Sequence, residues 1–343
     1  MFTIFAEKEI FENIVIFNED SPNWFKIFCN HADICLNITD QELDAEIDAE
    51  TPISIFVNLT GGKRPIALKP FFDSIYDDNS IIKEKPRSAF FLNYDTITTE
   101  SLQKNYGVIV QSAQNIEDNI LKGTYYRDLP KDKIFEDHKN KGWKNLVSIP
   151  LPPSNALVIT DDFLFADEER GETVGKSNLI QLVDAFLPPT LKIDFHLTVF
   201  ANDNNKSQEW CEKLTSELQS AISSLRPYSI IFEVVFTKTI HKRRLMLNYI
   251  NSVCDKGFAV FKVKDNKTVR SKNDFRCDRI FNRIEPHEGD TDFISIESDL
   301  IDLKSNYRSI AAYINNRGAT QNFRILGNYN NDMSLINRLL NDV

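Results

Sequence analysis

The chain has 343 residues, a mass of 39.5 kDa and a formal net charge of −10, and at ~100–200 residues per domain that length points to two domains. With 42% hydrophobic and 26% charged residues it can bury its own core without disulfides or a structural metal, while 11 Gly and 13 Pro exclude collagen-like and low-complexity chains. No run approaches the ~18 consecutive apolar residues of a membrane span, and Glu7, Glu9 and Glu12 interrupt the apolar opening where a secretory signal would carry a basic n-region, so neither is expected.

Residues 1–149 read as an acidic α/β domain. The run QELDAEIDAE (41–50) has helical propensity and ends before Pro52. ISIFVNL (53–59), SAFFLNY (88–94) and YGVIVQS (106–112) are rich in β-branched and aromatic residues and predict buried strands. A short helix from Thr98 to Asn105, capped by Thr98 or Thr99, completes a βαβ pattern between the last two. The segment PLPPSN (150–155) marks a domain boundary, because its three prolines forbid regular structure.

Residues 156–343 then restart the pattern as a second α/β domain. ALVITDDFLF (156–165), FHLTVFA (195–201) and SIIFEVVF (229–236) predict strands. SNLIQLVDAFL (177–187), capped by Ser177 or Asn178, and Ser207 to Leu225 predict amphipathic helices. GFAVFKVKDNKTVRS (257–271) predicts a hairpin turning at Asp265-Asn266, and helices are expected at 304–315 and 332–341.

Charge is polarised along the chain. Residues 1–50 hold twelve acidic and two basic side chains, whereas residues 238–283 hold thirteen basic and four acidic ones. Such a basic segment concentrates polyanions, or it pairs with the acidic region of its own chain or of a copy. The five cysteines, Cys29, Cys35, Cys211, Cys254 and Cys277, are odd in number and scattered, which reads as reduced thiols in a cytoplasmic protein.

Directly after the strand 229–236 stands His241-Lys242-Arg243-Arg244-Leu245-Met246-Leu247-Asn248. At three offsets this resembles the His-x-Lys-x4-Asp motif of the phospholipase D superfamily, with Arg243 for lysine and Asn248 for aspartate. The preceding strand-helix-strand order, and Gly257-Phe258 downstream, are similar to the degenerate phospholipase-D-like domain at the C-terminus of MIT-domain proteins. The resemblance covers roughly residues 152–290. It implies a mixed sheet flanked by helices, His241 as nucleophile, Asn248 as the group that orients it, and Arg243, with Arg244, Lys242 and Lys262, as phosphate holders. It implies no cofactor and no metal.

An Asn carbonyl can fix an imidazole tautomer but does not stabilise imidazolium; in a Ser-His-Asp triad the Asp-to-Asn exchange costs ~10⁴ in rate. A guanidinium fork keeps its fit to phosphate oxygens. Active relatives also need two motifs, and neither His138 nor His196 starts a second one. The expected function is therefore recognition of a phosphate-bearing ligand, with nucleic acid among the candidates and prokaryotic defence as an analogy of setting. The alternatives are a phosphodiesterase or nuclease whose composite site is completed in a homodimer, and an assembly protein whose acidic half meets the basic segment of a partner.

Other constellations carry less. Gly171-Glu-Thr-Val-Gly175-Lys176-Ser177 has three residues between its glycines where a P-loop has four, and Asp167, Glu168 and Glu169 precede it. Cys29, His31, Asp33 and Cys35 alternate and would share one strand face, ~6.6 Å apart, too far to converge on one ion. Asp161, Asp162 and Asp167 to Glu169 could hold Mg²⁺ or form a solvated acidic loop. Tyr249, Phe258, Phe261, Phe275 and Phe281 interleave with the basic residues, as stacking platforms for bases do, or belong to the core.

Overall fold

Side-chain alternation along five short strands sets the first layer. β1 (Phe2–Ala6), β2 (Ala32–Leu36), β3 (Ile66–Ala67), β4 (Ser88–Phe91) and β5 (Ile109–Gln111) are all parallel, in the order β3-β2-β1-β4-β5. Ile4, Ile34, Leu36, Ala89 and Phe91 meet Phe11, Trp24, Phe28 and Phe56 from helices α1 (Lys8–Ile16), α2 (Pro22–Asn30) and, beyond α3 (Asp40–Asp48), α4 (Pro52–Leu59). Phe5, Cys35, Phe90 and Val110 pack with Phe72, Ile75 and Leu102 of α5 (Lys69–Asp77) and α6 (Thr96–Tyr106). The computed structural model describes residues 2–126, 142–147, 150–166, 174–240, 242–264, 267–270, 275–281, 292–329 and 335–343.

Three local expectations change here. Residues 53–59 are helix α4: the Thr51 hydroxyl accepts from Ser54 N, Pro52 sits at the first helical position, and Ile53 and Phe56 are buried while Ile55 and Leu59 are exposed. A start signal of this kind outweighs the β-propensity of a short apolar run. The cap of α6 is Asp95, whose carboxylate accepts from Thr98 N at 2.7 Å, in place of Thr98 or Thr99. Cys29 ends in α2 and only Asp33 and Cys35 lie on β2, so the predicted alternating strand is shorter than 29–35.

The second sheet has eight strands in the order β15-β9-β8-β7-β10-β11-β14-β6. They are β6 (Thr124–Tyr126), β7 (Ala156–Asp161), β8 (Phe195–Ala201), β9 (Ile230–Phe236), β10 (Arg244–Leu247), β11 (Ile250–Cys254), β14 (Phe275–Arg279) and β15 (Arg324–Gly327). Strands β7, β8 and β9 are parallel and the remaining pairings are antiparallel, so the sheet is mixed. The expected hairpin is present as β12 (Phe261–Lys264) paired with β13 (Lys267–Arg270); Asp265 and Asn266 lie outside the described residues. Beside the short α7 (Trp143–Leu146), helices α8 (Val174–Phe186) and α9 (Gln208–Ser223) cover the face that carries Leu157, Ile159, Val199, Val234 and Leu245. The long α10 (Asp292–Arg317) and the C-terminal α11 (Arg338–Asn341) pack on the opposite face. The chain is thus α/β with two sheets. Among the described residues no helix is long and apolar enough to cross a membrane. All five cysteines are free.

One continuous apolar core joins the sheets. Phe2 of β1 meets Phe281 and Phe293 edge-on, with ring centroids 5.3 and 5.6 Å apart. Arg87 is buried over the Phe293 ring at 4.1 Å and donates to Phe293 O at 3.2 Å. Burial lowers its pKa to about 10. Tyr249 spans the junction: its hydroxyl donates to Ser88 O at 2.5 Å and accepts from Ile109 N at 2.9 Å. Asn155, the last residue of the proline-rich segment, is buried and donates to Lys83 O and Tyr106 O. The sequence boundary at 150–155 therefore does not separate the sheets spatially. β6 precedes that boundary yet belongs to the second sheet, and α10 follows it yet helps cover the first.

Replacing Tyr249 with Phe removes one donor and leaves Ile109 N without its acceptor in a buried junction. The denaturation midpoint should fall by an amount equivalent to about 1–3 kcal/mol; an unchanged midpoint would mean that this hydroxyl does not hold the sheets together.

Candidate functional site

Open α/β sheets bind ligands beyond the carboxyl ends of their parallel strands. In the second sheet those ends are Asp161, Ala201 and Phe236. β10 runs antiparallel to β7, pairing Arg244 with Thr160, so its amino end reaches the same edge and delivers Lys242, Arg243 and Arg244 there.

Alternation divides the triplet between the two sides of the sheet. On the α10 side, Lys242 Nζ donates to Asp299 Oδ1 at 2.6 Å and Arg244 Nε lies 2.9 Å from Asp299 Oδ2. Arg244 also donates to Ser295 Oγ at 2.9 Å. On the α8 side, Arg243 donates to Asp255 O at 2.6 Å, lies 3.9 Å from Asp161 Oδ1 and stacks 5.0 Å over the exposed Phe163 ring. The three cations therefore do not form one clamp.

Lys242 lines a cleft of about 190 Å³ with Thr160, Thr239, Ile240, Asp299, Asp302 and Asn306. Thr239, Asp302 and Asn306 also border a larger groove of about 700 Å³, which adds Thr237, Lys238, Ser305, Gln321 and Asn322. The lining is rich in hydroxyls and carboxamides, and Asn306 donates to Thr239 Oγ1 across it. His241 lies outside the described residues, but Ile240 and Lys242 on either side of it line the cleft. Lys262 is placed by its backbone on β12, paired with Val269.

Asn248 is corrected from a catalytic to a structural role. It is fully buried, and its carboxamide oxygen accepts from Asn155 N and Ala156 N while its nitrogen donates to Gly107 O. It stands at the far end of β10 from Arg243, ~16 Å away at the rise of an extended chain. The candidate stacking residues Tyr249, Phe258, Phe275 and Phe281 are completely buried, and Phe261 nearly so. Phe258, Phe261 and Phe275 surround Trp143, so they are core. Lys176 of the P-loop-like stretch is bonded to Glu217, and Gly175 lies inside α8 against Leu164 O.

Asp161 organises the edge without lining the cleft. Its carboxylate accepts from Phe258 N at 2.6 Å and Phe163 N at 2.9 Å, and its burial raises the pKa to about 6. Gly257, at φ +88°, passes so close that an added Cβ would lie 2.6 Å from Asp161 Oδ2. Among the described residues no three His, Cys, Asp or Glu side chains are grouped to hold a metal ion.

A second polar group, missed by motif reading, lies at the carboxyl edge of the first sheet. Glu7 follows β1, where strand order leaves a crevice between β1 and β4. Its carboxylate accepts from Asn37 Nδ2 and from the Tyr76 hydroxyl, and Lys8 beside it pairs with Glu46. Desolvation raises the pKa of the buried Glu7, partly offset by the Tyr76 bond. In the sequence Glu7 shows only as one of the acidic residues that interrupt the apolar opening.

Two outcomes test the Asp161 arrangement. The raised pKa means that native protein binds this proton more tightly than unfolded chain, so its stabilising contribution is complete below pH ~4 and is lost as pH rises through 6. Thermal melting of wild type should therefore fall relative to Asp161→Asn between pH 4 and 7; parallel curves would refute the shift. Gly257→Ala should destabilise by about 1–3 kcal/mol in denaturant unfolding, from backbone strain and the clash with Asp161.

No family model matches the chain. Over 102 residues, or 29% of its length, the chain is 28% identical to a UPF0228 protein of Methanosarcina mazei, and over 101 residues it is 26% identical to a UPF0228 protein of Methanosarcina acetivorans. The chain spans about half the length of these curated relatives, 56% in each case.

Proposed function

We propose that the protein binds a phosphate-bearing ligand in the cleft beside Lys242, as a binding module of degenerate phospholipase-D-like type. One observation carries this reading: over the cleft and its adjoining groove three cations, Lys238, Lys242 and Arg244, stand against two carboxylates, Asp299 and Asp302. The Lys242 side chain remains 62% exposed, so its ammonium can turn from Asp299 toward an anion at little desolvation cost. The hydroxyls of Thr239 and Ser305 and the carboxamide of Asn306 lie along the same surface. Exposed Lys238 extends the positive charge into the larger groove.

The order β8, α9, β9 and then the basic triplet supports the phospholipase-D-like reading of this sheet. The groove of about 700 Å³, lined by hydroxyls, carboxamides and Lys238, supports nucleic acid as the polyanion class. A hydrolytic reading needs an imidazole, a cation and an orienting group around one phosphate, and the burial of Asn248 withholds the third.

Titration with a fluorescent single-stranded oligonucleotide and with inorganic phosphate tests the proposal. Binding should weaken as salt rises, and Lys238→Ala/Lys242→Ala should lose ~10-fold or more in oligonucleotide affinity. Arg243→Ala should leave affinity within ~3-fold and lower the melting temperature, because Arg243 braces Asp161 and Phe163. Salt-independent binding, an unaffected double variant, or no binding of either probe would overturn the assignment. Cleavage of the oligonucleotide that disappears in His241→Ala would replace it with a phosphodiesterase.

A further inference from the structure

The cleft that holds Lys242 and the groove that holds Lys238 share a wall made by Thr239 and by Asp302 and Asn306 of α10. Much of the hydrogen-bonding capacity around that wall is already committed. The Thr160 hydroxyl donates to Lys242 O at 2.6 Å, and the Thr237 and Thr239 hydroxyls bond each other at 2.9 Å. Asn306 Nδ2 donates to Thr239, and Asp299 is taken by Lys242 and Arg244. Asp302, one turn further along α10, differs. It is exposed and, among the described residues, forms no hydrogen bond or ion pair. Asn306 Oδ1, on the next turn, is also without a partner. The unused groups of the shared wall are therefore acceptors. A carboxylate accepts and never donates, and it repels phosphate. Asp302 thus works against a ligand that offers phosphates alone, and for one that sets a donor beside them.

We infer that the ligand is single-stranded RNA, told from DNA by its sugar: two successive phosphates lie at Lys242 and Lys238, and the 2′-hydroxyl of the ribose between them donates to Asp302. This rests on the phosphate-binding reading of the same cleft and adds the sugar to it. In any nucleic-acid strand a sugar separates two phosphates, and here Asp302 borders the places of both lysines. DNA brings no donor on its sugar, so the carboxylate would meet only acceptors and C–H groups there. Base amino groups are donors in both nucleic acids and do not separate them. The cleft, about 190 Å³ with Ile240, Met246 and Leu303 as its apolar part, has the size and surface for a sugar ring. Among the described residues it has no aromatic side chain on which a base could stack. The groove does: Phe323, 41% exposed, gives the base of an unpaired strand a face.

Titration of the full chain with three fluorescent oligonucleotides of equal length and one base tests the inference: oligouridylate, its 2′-deoxy form and its 2′-O-methyl form. Oligouridylate should bind ~10-fold or more tightly than either of the others. The 2′-O-methyl form keeps the sugar oxygen but has lost its hydrogen, so it should group with the deoxy form. Asp302→Ala should weaken oligouridylate binding and, at low salt, strengthen deoxy binding ~3-fold, because the same carboxylate is partner to one ligand and repellent to the other. A merely structural Asp302 would shift all three affinities in one direction. Equal affinity for the ribo and deoxy forms, 2′-O-methyl binding as tight as oligouridylate, or a variant that keeps the wild-type preference would overturn the sugar assignment and leave phosphate binding standing. Failure of all three probes to bind would overturn both.

Discussion

The antiparallel pairing of β10 with β7 is the constraint on which both the site and the junction depend. Without it, the parallel series β7, β8, β9 would present Asp161 and its neighbours to solvent with no basic partner. With it, the amino end of a four-residue strand is pinned beside the carboxyl end of β7. Arg244 is carried to Thr160 and the triplet splits across the sheet by simple alternation. The opposite end of the same strand delivers Asn248 and Tyr249 to the first sheet, where their polar atoms bond backbone groups of Gly107, Ser88 and Ile109. A short strand thus couples a charged edge to a structural joint.

Buried charge is handled differently at the two places. Arg87, at the joint, is nearly stripped of water, and its positive charge is held by an aromatic face, a carbonyl and the field of nearby carboxylates. Asp161 and Asp299, at the edge, are also removed from water, but each has a guanidinium nearby and Asp299 has an ammonium as well. Asp161 uses its remaining lone pairs on backbone N–H groups of Phe163 and Phe258, which fixes the loops on either side of Arg243. The edge is therefore preorganised. Within the triplet, Lys242 alone keeps a largely solvated side chain.

This arrangement also explains why polarity along the chain and polarity in space differ. The basic segment 238–283 contributes strands β10, β11 and β14 to the eight-stranded sheet and the β12–β13 hairpin beside it, and the core around Trp143 and Phe2 takes up Phe258, Phe261, Phe275 and Phe281. Of its cations, Lys242, Arg243 and Arg244 pair with acids of the same half, Asp299 and Asp161, instead of with the acidic first fifty residues. The acids near the start are used locally: Glu42 closes a capping box on Thr39, and Glu46 pairs with Lys8.

The sequence by itself determined the α/β class, the strands β4, β5, β7, β8 and β9, the long helix α9 and the hairpin β12–β13. In each, hydrophobic period and turn residues agree over enough positions to leave one solution. It also located the basic triplet immediately after a strand. It misread residues 53–59, where Thr51 and Pro52 start a helix although the apolar run suits a strand. Tertiary structure alone decided that Asn248 is a joint and not a catalytic group, and that Arg243 and Arg244 face opposite sides. It likewise decided that residues on both sides of Pro150 to Asn155 share one core. The physical reason is range: capping, period and turn chemistry act within a few residues. Strand pairing brings together groups more than eighty positions apart, such as Thr160 and Arg244, and its register follows from burial of a whole face.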